Sequence, residues 1–135
     1  MSVGAADGPT DVMTVDPGLL AQQRAKELLN VGDVQAAREV INEALGTSRS
    51  KHDLLWVLAD AEFADGDLQA GMRYLTEAVA ASGGDAASIS THIQALAKKR
   101  LWREALMVVE HLPNQVRDDP VVRTAVGDFY GARGC

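Results

Sequence analysis

Apolar residues in this chain recur three and four positions apart, the period of an amphipathic helix, and short polar or flexible segments interrupt them. The first such stretch opens at Asp16-Pro17, a capping acid before a proline suited to the first helical turn. It runs to about Val31 through Leu20, Ala25 and Leu28. A second follows Gly32, with Val34, Ala37, Ile41, Ala44 and Leu45 on one stripe, until residues 46–50 break it. A third covers about 51–65 and carries Leu54, Leu55, Leu58 and Ala59. The fourth opens at Asp67 and turns Leu68, Gly71, Leu75, Ala78 and Val79 inward. Ser82 to Asp85 stop it and cap a fifth helix, which carries Ile89, Ile93 and Leu96 to about Lys99. A sixth starts at Trp102, which is expected in the core, and Pro113 closes it. Asp119-Pro120 then opens a seventh through Val122, Val126 and Phe129 to Gly134.

The interruptions themselves repeat. NVGDVQAA at residues 30–37 and ADGDLQAG at 64–71 place Gly32 and Gly66 34 residues apart, each followed by Asp, an aliphatic residue and Gln-Ala. Glycine takes the left-handed conformation that closes one helix, and the Asp accepts from the free amides that open the next. Each copy is therefore a helix–turn–helix, and the fixed period predicts an all-α stack of such units. The third corner departs from the pattern, with Arg100 at the glycine position and Leu101 at the acid. Residues 1–15, rich in Gly, Pro, Asp and Thr, hold no sustained period and read as a mobile tail. Residues 16–135 form the repeat domain, with pairs at about 16–49, 50–83 and 84–117 and a last helix at 119–133.

Composition narrows the function classes. The 135 residues are 47% hydrophobic but only 4% aromatic, which suits close-packed helices better than a sheet. A net charge of −6 without a basic run speaks against nucleic acid as a partner. The cluster Lys98-Lys99-Arg100 suits the last turn of a helix. No apolar run is long enough to cross a membrane, and no signal peptide precedes the domain, so the expected location is cytoplasmic. Cys135 is a single terminal thiol and reads as incidental.

Positions within the 34-residue period resemble the tetratricopeptide family. Leu55, Leu58 and Ala59, then Gly71, Leu75 and Ala78, fit its helix pair in the second copy, with Glu62 in place of the usual aromatic. Ala25, Leu28, Ala37, Ile41 and Ala44 fit the first copy, where Arg24 stands in place of Leu. Ile89, Leu96, Ala105 and Val109 fit the third, with Ile93 and Leu112 larger than the family prefers. Val126, Gly127 and Tyr130 match the fourth, and the family's closing Pro is missing from every copy.

The resemblance implies an α-solenoid, a right-handed superhelix of about three pairs plus a terminal helix. It also implies an interaction scaffold that holds a protein or peptide on a concave face lined by the first helix of each pair. Projected onto this chain, the groove residues are Lys26; Asp53, Trp56, Asp60 and Phe63; Gln94 and Lys98; and Asp128, with Ser90, Ala97, Val121 and Thr124 beside them. Trp56, Asp60 and Phe63 share one helix face and bracket an aromatic pair with acid, an arrangement suited to anchoring a basic partner. The terminal helix carries Arg123, Thr124 and Asp128 as a polar outer side for a cap, yet Gly127 and Tyr130 suit the receipt of a further helix. The alternative function is a docking or oligomerisation domain of a longer enzyme or regulator, acting through Val126, Phe129 and Tyr130 and able to form a homo-oligomer.

Nothing in the sequence assembles a catalytic or cofactor site. His52, His92 and His111 lie far apart and pair with no Cys, Asp or Glu at zinc-ligand spacing. Gly83-Gly84 lacks the strand and Lys-Ser/Thr of a phosphate loop. The chain is expected to be no enzyme, to need no cofactor, and to bind neither nucleic acid nor membrane.

Overall fold

The computed structural model describes residues 17–49 and 51–133. Among these, eight helices and no strand are found, so the fold is all-α. They are α1 (Pro17–Asn30), α2 (Val34–Leu45), α3 (Lys51–Ala64), α4 (Leu68–Ala81), α5 (Ala86–Lys98), α6 (Trp102–Glu110), α7 (Asn114–Arg117) and α8 (Pro120–Ala132). The expected tail, the capping Asp16, and the terminal Gly134 and Cys135 lie outside the described residues. No helix among the described residues is long and apolar enough to cross a membrane.

Four of the corners between helices share one geometry, whereas Gly46 after α2 keeps the right-handed conformation. At the first, the amide of Gly32 donates to Leu29 O at 3.0 Å and that of Asp33 donates to Leu28 O at 2.8 Å. At the second, Gly66 donates to Phe63 O at 3.1 Å and Asp67 donates to Glu62 O at 2.9 Å. Both are Schellman closures, in which nested bonds satisfy carbonyls that the helix end leaves open, and both glycines are left-handed, with φ of +84° and +87°. The Asp carboxylates then accept from Ala36 N at 3.2 Å and Ala70 N at 3.0 Å, opening α2 and α4.

Arg100 forms the same closure. Its amide reaches Ala97 O at 2.9 Å, Leu101 reaches Leu96 O at 2.9 Å, and Arg100 itself is held at φ 61°. Backbone hydrogen bonds thus force a non-glycine residue into the left-handed region, and Leu101 gives α6 no side-chain cap. The fourth closure ends α4, where Gly83 donates to Ala80 O at 3.1 Å and Gly84 donates to Val79 O at 2.9 Å.

Two compact units divide within α4, one ending at Tyr74 and the other beginning at Leu75. In the first unit α1 packs on α2 and α3, and α2 packs on α3. Its core joins Ala25, Ala37, Ile41 and Ala44 to Leu54, Val57 and Leu58, all buried, with Leu28, Leu29, Val40 and Tyr74 packed around them. The small Ala25, Ala37 and Ala44 let the helix backbones approach closely. Phe63 closes the start of α4 against α3. Its ring lies over Gly71 so tightly that a β-carbon there would stand 2.7 Å from it.

Glu62, at the position where the resemblance expects an aromatic, is buried and paired. Arg38 Nε and Nη2 donate to its two oxygens at 3.1 and 3.2 Å, and Nη2 also reaches Asp65 at 3.1 Å. A bidentate ion pair between α2 and α3 therefore occupies the space of a ring.

In the second unit α5 packs on α6 and α8. Ile89, Ile93, Leu96, Ala105, Val122, Ala125 and Phe129 are buried. The half-buried Trp102 leans on Phe129 with ring centroids 6.2 Å apart, so its expected core place is only partly realised. Pro113 does not simply close α6, which ends at Glu110. It caps the short α7, whose Val116 is buried and whose Arg117 donates to Leu112 O at 2.7 Å.

Candidate functional site

Three of the projected groove residues converge in the second unit. Gln94 and Lys98 from α5 and Asp128 from α8 line one cleft of about 200 Å³, together with Ala97, Ala125, Phe129 and Ala132. The two helices present it because their apolar stripes, Ile89, Ile93 and Leu96 on one and Val122, Ala125 and Phe129 on the other, are spent on the core. Gln94, Lys98 and Asp128 sit one turn to the side and stay exposed. Alanines on both walls keep the cleft open, and the edge of Phe129 gives it an apolar lining. One cation, one anion and one amide stand on its rim. That set can hold an apolar side chain and hydrogen-bond the groups on either side of it, but it holds no nucleophile and no acid–base pair.

In the first unit only part of the projected surface is open. Lys26 on α1 and Asp60 on α3 are exposed, and Asp53 and Trp56 are half-buried. Asp53 Oδ1 lies 3.5 Å from His52 Nε2. Phe63 does not belong with them. It is 8% exposed and its ring is packed on Gly71, so the aromatic pair expected on an open face is one surface Trp and one core Phe. The reason is that α3 is buried nearly all round: Leu54, Val57, Leu58, Ala59, Ala61, Glu62 and Phe63 are all covered. Ser90, placed beside the groove by register, is likewise buried. Phe129, expected at an exposed end, is 1% exposed and forms a wall of the cleft. An apolar residue directly after Asp128 and one turn beyond Ala125 was the available signal for it.

A second cleft of about 320 Å³ in the same unit was not anticipated. Its lining includes Val79, Ile89, His92, Val108, His111 and Leu112. His92 is buried, and loss of hydration pushes its imidazole down to about 4, so it is neutral at pH 7. A ring nitrogen of His111 lies 2.8 Å from Met107 O, which fixes that nitrogen as the donor. No group of three or more His, Cys, Asp or Glu able to hold a metal occurs among the described residues.

Comparison of the chain with protein-family models and with the curated proteins gave no match.

Proposed function

We propose that this chain is a protein-interaction scaffold of tetratricopeptide-like helix pairs that holds a peptide or partner protein against the first helix of each pair and performs no chemistry itself. The observation that carries this reading is the corner. The same nested closure recurs at Gly32, Gly66 and Arg100, 34 residues apart, and Asp caps follow it twice. A unit that repeats its closure at fixed spacing repeats its packing, and stacked helix pairs of this kind form a right-handed α-solenoid whose first helices line an extended binding face. The cleft of Gln94, Lys98 and Asp128 between two first helices supports the reading, since it offers a partner an apolar seat with a cation and an anion at its rim. Trp56 and Asp60 on α3 are the matching surface of the first unit.

The test is selection of a displayed random-peptide library on the immobilised chain. Binders are expected, and Lys98→Glu or Asp128→Lys should each remove them while leaving Tm unchanged, because both side chains are exposed. Binders that survive both folded variants would sink the proposed site.

A further inference from the structure

The cleft of about 320 Å³ around His92 differs from the rest of the second unit in its chemistry. Val79 of α4, Ile89 of α5, Val108 of α6 and Leu112 just beyond α6 give it apolar walls. Among the described residues that line it there is no Asp, Glu, Lys or Arg, in a chain that is 24% charged. An ion entering such a depression gives up hydration and meets no opposite charge, so the cleft selects an uncharged occupant.

His92 is the polar group inside it. Its side chain is 9% exposed, makes no hydrogen bond among the described residues, and has its ionisation moved by burial alone. Yet no buried side-chain nitrogen or oxygen that is sealed from solvent lacks a partner among those residues. The ring nitrogens of His92 are therefore not sealed, and the cleft that the ring lines is their opening. A neutral imidazole presents one N–H and one lone pair, and both stand unmet in an apolar setting. At the mouth, the exposed His111 turns Nδ1 to Met107 O at 2.8 Å, which leaves Nε2 as the nitrogen able to face a ligand.

We propose that this cleft binds a small, neutral, hydroxylated aromatic molecule of two fused rings, whose hydroxyl pairs with a ring nitrogen of His92. Size follows from volume: an apolar cavity of about 150 Å³ holds one benzene ring, and this cleft has about twice that space. The hydroxyl follows from His92, because an O–H both donates and accepts and so satisfies either ring nitrogen. A carboxylate or phosphate would find a neutral ring and no cation. The inference does not depend on the scaffold reading, since Gln94, Lys98 and Asp128 line a different cleft.

The probe is 2-naphthol, titrated into the isotopically labelled full chain at pH 7. It should saturate with a Kd below about 1 mM, moving the amides of Val79, Ile89, His92 and Val108 and a ring-nitrogen resonance of His92. 2-Naphthalenesulfonate, the same rings with a fixed anion, should bind at least about tenfold more weakly. Ala80→Trp fills the cleft from an exposed position and should weaken 2-naphthol at least about tenfold. His92→Leu removes the hydrogen bond and should weaken it about three- to tenfold. Circular dichroism establishes that each variant is folded, and the wild-type titrations stand whichever variant folds. No saturation, shifts centred on Gln94 and Asp128, equal binding of the sulfonate, or unchanged affinity in folded Ala80→Trp would each overturn the site. Unchanged affinity in folded His92→Leu would overturn the hydroxyl pairing and with it the ligand class.

Discussion

Arg100 bears the clearest single-residue cost in the molecule. A left-handed conformation costs an L-residue about 1–2 kcal/mol, whereas glycine adopts it freely but loses more entropy on folding. Arg100→Gly should therefore stabilise the chain by about 0.5–1 kcal/mol, read as a higher urea midpoint at unchanged m. Gly66→Ala should do the reverse by a similar amount, since Gly66 sits at φ +87° with nothing nearby to blame but its backbone. His92 sets the second expectation. Its imidazole is held at about 4 against an ordinary 6.5, so the unfolded chain binds a proton in that window and the folded chain does not. The stability it contributes is complete above about pH 6.5, falls as pH drops, and is gone below about pH 4, a loss of about 3 kcal/mol. Denaturation of wild type and His92→Leu across that range isolates the effect, because the carboxylates titrate in both. Both residues were visible in the sequence, Arg100 as a break in the repeat and His92 as one of three separated histidines. What the sequence withheld was the backbone angle and the depth of burial.

Helices pair through choices that sequence period alone does not resolve. The period found seven helices almost to the residue, yet it put Phe63 on the wrong side of α3. Nearly every face of that helix is buried, so its apolar pattern carries no direction. The structure gives Phe63 a specific task, covering Gly71, and Gly71→Ala should cost about 1–3 kcal/mol because the ring must move. The ion pair joining α2 to α3 was equally hidden, since Arg38 and Glu62 are 24 residues apart. Glu62→Ala leaves Arg38 only partly compensated by Asp65 and should cost about 2 kcal/mol. A joint Arg38→Met/Glu62→Tyr replacement, which restores an aromatic to the repeat position, should recover most of it in the same denaturation assay. The short α7 was missed because Pro113 reads as a stop whether or not another turn follows it.

For the molecule as a whole, the 34-residue spacing was legible in the sequence and the recurrent corner is its physical form. The proposed partner surface was legible only as a set of positions. The structure gathers Gln94, Lys98 and Asp128, keeps Trp56 and Asp60 on the surface of the first unit, and withdraws Phe63. The most direct test of the scaffold reading is nuclear magnetic resonance mapping of a library-selected peptide on the full chain. The account predicts shifts at Gln94, Lys98 and Asp128 in the second unit and at Trp56 and Asp60 in the first, with α2 and α6 silent. Shifts confined to α2 and α6, the second helices of their pairs, would contradict it.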